Sequence, residues 1–580
     1  MSLDRLDAAP SVAPMPDGLD VLFGDPREPG PFDHAAIVAD DEARRVSDVA
    51  GALLDEWDAA ADAVPVALGG RWGSTEELVR RWRPVFRRDP ALGLAHGLST
   101  FAAALPVWIA GDESQRTEVA ARLLRGERLA ATPPAFLGDA QGEGVGCAAD
   151  LYGDRWLVRG VQRFVDDADR AESMLVVART SAEPGPGSRS LLLWRADAAT
   201  RPAVDVSQRV ATGGLRGLRV GNVEFHDLPV PVDRTIGSRG SAAATIGAAE
   251  QVTRAVIPAL AVATVGASAE LAVRYGAERS LYGGSVLDLP QSRALLAGAV
   301  ADLLVADALA SVAVRALHVA PKGCRVLTAL SSVVVMELLS SAMQDLSVLF
   351  GSTFYARVAP YDVFEKLLRD VGTLTVRNGS PAELLGAALA HLPAWLERSR
   401  DGGADPAMFR LGAPLAPIRL DRLASRAGSG DPVGGALHDA GVRAAFAPGS
   451  AELATLERLA DTVAALRWEV AALPPPQAGA DAAPPALAVA HRVALTLAAA
   501  AFAGVGAAAD EASAAADPGI REACLRRIED RLAGRVGPLE PHLVEHLVAY
   551  AADRTERGIR LDLSAAGMTT PTRAEEGDTP

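Results

Sequence analysis

The pattern of hydrophobic and polar residues divides the chain into a helical part, a β-rich part and a second, longer helical part. Between residues 41 and 128, apolar residues recur at helix spacing, for instance Val46, Val49 and Leu53. Between 129 and 236, short β-rich runs alternate with Gly-, Pro- and Asp-rich turns, which predicts a small β-barrel or sandwich. Helix spacing then returns and continues to residue 566.

Single elements follow from the same pattern. The predicted strands are Trp156–Gly160, Ser173–Ala178, Ser190–Trp194 and Asn222–His226. We expect the last strand to end at Asp227–Pro231, because prolines remove ladder hydrogen bonds. The predicted helices of the second helical part are Ala248–Ser280, Pro290–His318, Val326–Leu349, Pro381–Arg400, Ala451–Leu473 and Ala486–Tyr550. Residues 1–40 are predicted to be an irregular lead-in and residues 567–580 a disordered tail.

Composition is that of an ordinary soluble globular protein, with 49% hydrophobic and 22% charged residues among 580. The net charge of −16 argues against a nucleic-acid partner, which would require a basic surface. The longest apolar stretch, Val493–Ala509, is rich in Ala and Gly and predicts a buried helix rather than a membrane span. The start of the chain lacks the features of a signal peptide, and three widely spaced cysteines fit a reducing compartment. We therefore expect a cytoplasmic protein without a membrane partner or a metal site.

Four motifs, in order along the chain, carry a family resemblance. They are the strand pair Leu157–Gly160 and Val176–Thr180, the segment Gly214–Gly217 with Val223–Pro231, the helix that opens with Thr253-Arg254 and ends in Arg279–Gly283, and Glu365–Asp370 followed by Arg377–Ser380. Together they resemble the acyl-CoA dehydrogenase family. The resemblance implies an α+β, mostly α fold. It has an N-terminal helical domain (41–128), a middle β-barrel domain (129–236), a C-terminal four-helix bundle (237–400) and, as in long family members, a helical extension (401–566).

The resemblance also implies a chemistry. Family members bind FAD, oxidise an acyl thioester carried by CoA or an acyl carrier protein, and form homodimers or homotetramers. Their catalytic glutamate removes the substrate's α-proton, and its position is held here by Asn378, which is not a base near neutral pH. The backbone N–H of Asn378 is still expected to polarise the thioester carbonyl. An alternative is a local misalignment, in which Glu383 or Asp370 serves as the base.

Other family positions place the substrate and the base. Some family members carry the base on the helix that opens with Thr253-Arg254, where Thr253 faces the substrate; a threonine hydroxyl is no base without an activator. Arg254 and Asn378 are the implied substrate-binding residues. The implied contacts of FAD are Thr132, Phe164, Asp166, Arg279, Leu281, Tyr282, Gly283 and Ser380. Among these, Arg279 would pair with the FAD pyrophosphate across a subunit interface.

Asp166 is the most unusual of these replacements. It stands where the family has a Thr or Ser beside the flavin ring. The N5 atom of oxidised flavin is a hydrogen-bond acceptor, so an ionised carboxylate facing it would be repelled. Asp166 then either belongs to an exposed turn, Asp166–Asp169, or acts as a substitute base.

Two other patterns suggest sites. His542-Leu543-Val544-Glu545-His546 has a zinc-peptidase spacing without a third ligand, so a solvated helix is the preferred interpretation. Arg80, Arg81, Arg83, Arg87 and Arg88 form a basic cluster, interpreted as a solvated helix face or as a docking site for an acidic carrier protein or CoA phosphates.

Three functions remain open from the sequence. The first is a divergent flavoprotein that acts on an acyl thioester with a relocated base or another flavin-dependent oxidation. The second is a non-redox enzyme on the same scaffold, promoting a rearrangement or cyclisation in specialised metabolism. The third is a catalytically silent partner subunit.

Overall fold

A computed structural model describes most of the chain. The described residues are 18–137, 146–183, 185–207, 209–397, 404–423, 430–473, 482–535 and 537–563. The predicted tail, 567–580, lies outside them, as do residues 1–17 of the lead-in and the segment 138–145. The prediction of an irregular lead-in is wrong for residues 18–40, which contain the helix Gly18–Phe23 and most of the helix His34–Glu42.

The N-terminal part is helical, as the apolar spacing predicts. Asp33, Ser47, Ser74 and Asp112 are N-caps that accept hydrogen bonds from the first turns of their helices. Its helices are α1 (Gly18–Phe23), α2 (His34–Glu42), α3 (Asp48–Glu56), α4 (Thr75–Arg88), α5 (Pro90–Gly93), α6 (Ser99–Ala110) and α7 (Glu113–Leu123). A π-helical turn, Leu94–Leu98, joins α5 to α6. Such turns often occur at functional sites, and both of its end residues line the cavity described below.

The middle part is an eight-stranded mixed sheet in the order β6-β7-β3-β2-β4-β5-β8, with β1 paired to β4. Its strands are β1 (Leu129–Ala131), β2 (Cys147–Tyr152), β3 (Arg155–Asp166), β4 (Ser173–Arg179), β5 (Arg189–Arg195), β6 (Val204–Val206), β7 (Val220–Pro231) and β8 (Thr235–Ile236). One face builds a separate core around Trp156, Val158 and Phe225. The expected end of β7 at its prolines is wrong, since pairing with β3 continues to Pro231. Beyond Phe225 no β6 residue pairs with β7, so the prolines lie where one edge is open.

The C-terminal bundle consists of four long helices. Its elements are α8 (Ala242–Glu278), β9 (Ser280–Leu281), β10 (Gly284–Ser285), α9 (Pro290–Val319), α10 (Cys324–Phe350), α11 (Ser352–Tyr355), α12 (Val363–Arg377), α13 (Pro381–Leu389) and α14 (Leu392–Glu397). The fourth bundle helix is α12, which the apolar spacing did not predict as a separate helix. The predicted helix Pro381–Arg400 is instead two short helices.

The extension packs against the bundle. It contains α15 (Ala440–Ala444), α16 (Ala451–Ala471), α17 (Pro484–Ala508), α18 (Pro518–Leu532) and α19 (Pro541–Glu556). Asp302 on α9 is fully buried and binds two arginines of α18, Arg527 at 3.0 Å and Arg531 at 2.6 Å. This paired charge fixes the extension to the bundle.

Five helical stretches are long and apolar enough to cross a membrane by length and composition. They are Pro90–Ala110, Ala242–Glu278, Pro290–Val319, Pro321–Phe350 and Pro484–Ala508. Between 67% and 94% of each apolar window is buried inside the fold. The last stretch contains most of Val493–Ala509, which lies in a largely buried helix as predicted.

The Glu365–Asp370 motif is a structural clamp. Arg369 binds Glu365 at 2.6 Å and Asp41 of α2 at 2.7 Å. Lys366 binds Asp89 before α5 at 2.7 Å and Asp370 at 2.6 Å. The motif therefore fixes α12, and with it the turn at 378–380, to the N-terminal helices.

The basic cluster of α4 is not a solvated face. Arg83, Arg87 and Arg88 are buried, with 5%, 7% and 3% of their surface exposed. Arg83 binds Asp307 of α9 and Asp562, and Arg87 binds Asp562 at 2.9 Å. These arginines stabilise packing inside the protein, so they do not provide a docking surface for an acidic carrier or CoA.

Candidate active site

A cavity lies where the sheet meets the bundle. It contains about 990 Å³ of empty space, including its open mouth. Apolar side chains of the segment 94–106, of the sheet and of α8 form most of the wall. Five of the residues predicted from the sequence line it together: Thr132, Asp166, Thr253, Arg254 and Asn378. A mainly apolar wall with a few polar groups is typical of a small-molecule or cofactor site.

Asn378 lies at the C-cap of α12, with 7% of its surface exposed. Its side-chain amide donates to the hydroxyl of Ser332 on α10. Its backbone N–H donates to the carbonyl of Leu374 at 3.1 Å. The expectation that this N–H polarises a thioester is therefore wrong for this conformation, because the helix end uses the donor. At this turn Asn378 therefore presents neither a basic side chain nor a free backbone N–H.

Thr253 and Arg254 are brought to the cavity by α8. Thr253 is 8% exposed, and its hydroxyl donates to the carbonyl of Glu250 at 3.3 Å. Arg254 binds the Glu250 carboxylate at 2.9 Å, one helical turn away. Among the described contacts, no base activates the Thr253 hydroxyl. The carboxylate of α8 that lines the cavity is Glu250.

Glu383 is the second carboxylate of this wall. It lies in the first turn of α13 and lines the cavity, and part of it is exposed to solvent. Burial raises the pKa of Glu383, the negative charge of Glu250 raises it further, and Arg254 acts in the opposite direction. The other residue proposed under misalignment, Asp370, is fully buried in the clamp and accepts from the backbone N–H of Leu215 at 2.5 Å. Of these two, Glu383 alone is on the cavity wall.

Asp166 faces the cavity and is 4% exposed, so its interpretation as part of an exposed turn is wrong. One carboxylate oxygen accepts from Arg377 at the end of α12 and from the hydroxyl of Ser99 at 2.8 Å. The other oxygen, Oδ1, has no hydrogen-bond partner among the described residues. Sequence reasoning missed Arg377 and Ser99 as partners of Asp166, since both are remote from it in the chain.

Thr132 and Phe164 are two further predicted contacts of the flavin. Thr132 is 5% exposed, and its hydroxyl donates to the carbonyl of Arg163 at 2.9 Å. Phe164 is 37% exposed, has a left-handed backbone (φ 54°) and packs against Phe136 with ring centroids 5.1 Å apart. Strained backbone of this kind often occurs at functional sites. Phe164 is not among the residues that line the cavity.

The remaining predicted cofactor contacts are on the surface. Arg279, Leu281, Tyr282 and Gly283 belong to or flank the hairpin of β9 and β10, and all four are exposed, Tyr282 at 90%. Ser380 is also exposed, immediately before α13. None of these five lines the cavity. Within one chain the structure therefore does not bring them together with Asp166 and Asn378.

The His542–His546 pattern is not a metal site. His546 binds Asp517 at 2.7 Å, His542 lies 3.8 Å from Glu522, and Glu545 binds Arg293. No group of three metal-ligating side chains occurs in the part of the chain that the structure describes.

Comparison with known proteins finds weakly similar proteins that are named as dehydrogenases of CoA thioesters. No protein-family model matches the chain. It is 26% identical over 161 residues to cyclohex-1-ene-1-carbonyl-CoA dehydrogenase of Geobacter metallireducens, which is 28% of this chain and 41% of that protein. It is 30% identical over 135 residues to mitochondrial isobutyryl-CoA dehydrogenase of Dictyostelium discoideum, 23% of this chain and 31% of that protein. The chain thus matches less than half the length of these relatives.

Solved structures share the fold. Butyryl-CoA dehydrogenase of Megasphaera elsdenii superimposes with a TM-score of 0.54 and 18% identity, over 61% of this chain and 92% of that one. The prolyl acyl carrier protein oxidase AnaB does so with a TM-score of 0.52 and 16% identity, over 63% and 96%. Each superposition includes more than nine-tenths of the solved structure but less than two-thirds of this chain. This chain therefore shares the fold of the acyl-CoA dehydrogenases and is weakly similar to them in part of its sequence, with additional helices beyond the common fold.

Proposed function

We propose that this protein is an FAD-dependent oxidoreductase that acts on an acyl thioester carried by CoA or an acyl carrier protein. The observation that carries the proposal is the cavity between sheet and bundle, whose lining includes Thr132, Asp166, Thr253, Arg254 and Asn378. Relatives named as acyl-CoA dehydrogenases and an acyl carrier protein oxidase support the substrate class.

The mainly apolar wall of the cavity suits a flavin ring, with one exception. Asp166 Oδ1 is a buried acceptor without a partner among the described residues, so a ligand donor or a water would satisfy it. The N5 atom of oxidised flavin is an acceptor, whereas the reduced ring carries an N–H there. Thr132 and Asp166 would hold the ring, and Asp166 matches its reduced form better.

When bound, the flavin would supply hydride acceptance. The chain's own residues provide the rest of the site. The apolar wall excludes water, which strengthens the electrostatic effects of the groups inside it. Arg254 forms an ion pair with Glu250, and Arg377 forms one with Asp166. Each arginine therefore compensates the negative charge of its carboxylate. The Asn378 turn contributes packing and no base.

We further propose that a second copy of the chain completes the cofactor site. Arg279, Leu281, Tyr282 and Gly283 are exposed on the hairpin of β9 and β10, and Ser380 is exposed at the start of α13. A pyrophosphate bound by Arg279 would then belong to the neighbouring subunit's FAD. A homodimer or homotetramer in the cytoplasm is the expected form.

The proposal is tested by the visible absorbance of the purified protein and by anaerobic titration with a panel of acyl-CoA and acyl carrier protein thioesters. We expect a yellow protein whose flavin absorbance is bleached by at least one thioester. A colourless protein that FAD does not reconstitute would overturn the proposal. That result would favour the non-redox enzyme or the silent partner subunit on the same scaffold.

Replacing Asp166 by asparagine is expected to tighten the binding of oxidised FAD about tenfold, which corresponds to about 1.4 kcal/mol. The amide keeps an acceptor for Arg377 and Ser99, and it presents an N–H donor where Asp166 presents only acceptors. The dissociation constant is measured by titrating the apoprotein with FAD. Asp169→Asn is the matched control, because Asp169 lies in the same turn but is exposed and pairs with Arg219. Weaker FAD binding by Asp166→Asn would show that the carboxylate does not oppose the oxidised ring.

A further inference from the structure

We propose that Glu383 accepts the substrate's α-proton in place of Asn378; this inference rests on the proposed oxidation of an acyl thioester. By motif alone, Glu383 of α13 is an alternative base only if the Asn378 turn is misaligned. The assignment depends on which carboxylate of the cavity is free to take a proton.

Among the residues that the structure describes, three carboxylates line the cavity: Asp166, Glu250 and Glu383. Asp166 is bound by Arg377 and Ser99, and Glu250 is bound by Arg254 at 2.9 Å. Glu383 makes no hydrogen bond or ion pair with any residue that the structure describes. A base must have a lone pair available for the incoming proton, and Glu383 meets this condition most fully.

The position of Glu383 suits a base for the same substrate. It is five residues after Asn378, separated from it by the turn Gly379-Ser380 and the first residues of α13. Glu383, Asn378, Gly379 and Thr253 line one cavity. A thioester bound against the Asn378 turn would therefore have Glu383 on the same wall.

The charges around Glu383 adjust its basicity. Glu250 on α8 raises its pKa together with burial, whereas Arg254 lowers it. The pair Asp166–Arg377 faces the cavity from β3 and α12. His391, beyond the end of α13, has its pKa lowered by burial and by Arg325. A carboxylate with a raised pKa is a stronger base once it is ionised.

Removal of the α-proton by Glu383 is coupled to loss of a hydride from the β-carbon. The bond between the α-carbon and its hydrogen breaks, the proton goes to a carboxylate oxygen of Glu383, and the electron pair passes toward the β-carbon to form the new double bond. The β-hydrogen leaves with its two electrons as a hydride, and the flavin is the oxidant that takes it. Arg254 is the nearby cation that can stabilise negative charge developing on the thioester oxygen.

The test compares Glu383→Gln with the native protein in anaerobic flavin reduction by each thioester that the native protein accepts. We expect the rate constant of reduction to fall about 10²–10⁴-fold, with FAD content and melting temperature unchanged. Glu383→Asp should recover part of the rate, because it restores a carboxylate at a shorter reach. Glu397→Gln, exposed on α14, is the matched control. Reduction by Glu383→Gln at the native rate would overturn the assignment.

The pH dependence gives an independent measurement. A base is active when ionised, so reduction should increase with pH through the pKa of Glu383, above the ordinary glutamate range of about 4.3. Glu250→Gln removes a negative charge that raises this pKa, so the acidic limb should move to lower pH. An acidic limb that stays in place would contradict the assignment. If the native protein contains FAD but no thioester reduces it, the proposed function fails first and this inference fails with it.

Discussion

Replacing Lys366 by methionine is expected to destabilise the protein by about 3–5 kcal/mol, because removal of one partner from a buried ion pair leaves an uncompensated charge. Lys366 is 1% exposed and contacts two carboxylates, Asp89 at 2.7 Å and Asp370 at 2.6 Å. Burial alone would lower the pKa of Lys366, but these two carboxylates raise it more. The side chain is therefore held as the charged ammonium. Without it, two buried acidic groups would face each other.

Urea denaturation followed by tryptophan fluorescence measures this effect. Lys322, the other lysine of the chain, is exposed, and Lys322→Met should change stability by no more than about 0.5 kcal/mol. Equal stability of the two variants would mean that the Glu365–Asp370 clamp does not hold α12 on the N-terminal helices.

Replacing Arg83 by methionine is expected to have a similar effect, a loss of about 3–5 kcal/mol. Arg83 joins α4 to Asp307 of α9 and to Asp562 near the end of the described chain. Asp307 is fully buried and accepts further hydrogen bonds from Ser311 at 3.2 Å and from the N–H of Leu563 at 2.7 Å. Loss of the guanidinium would leave this carboxylate without its cation.

Arg80 offers a control on the same helix, since it is exposed. Arg80→Met should leave the denaturation midpoint nearly unchanged, while Arg83→Met lowers it. If both variants unfold alike, the cluster is a solvated face after all, and the interpretation as a docking surface returns.

The sequence predicted the framework better than the site. Long apolar helices such as α9 and α10 are read from spacing because burial on nearly all sides leaves few polar residues in them. The fourth bundle helix, α12, was missed because its charged residues form the clamp and so interrupt the apolar pattern. The strand β7 was predicted too short, because a sequence does not reveal which edge of a strand lacks a neighbour.

The site depends on contacts between remote residues. The cavity position of Asn378 followed from the motif, but the use of its N–H by the end of α12 did not. Asp166 was interpreted as exposed because four neighbouring residues, Asp166–Asp169, look like a polar turn. Its partners Arg377 and Ser99 bury it, and they are 211 and 67 residues away. Pairing of this kind is set by tertiary structure and leaves no local signal.

The central claim is that Glu383, and not the residue at position 378, removes the α-proton of the substrate. The most direct measurement is the rate constant of anaerobic flavin reduction by one accepted thioester in two variants, Asn378→Ala and Glu383→Gln. We predict that Glu383→Gln loses at least about 100-fold more activity than Asn378→Ala, since only the first removes a base. A larger loss in Asn378→Ala than in Glu383→Gln would contradict this account.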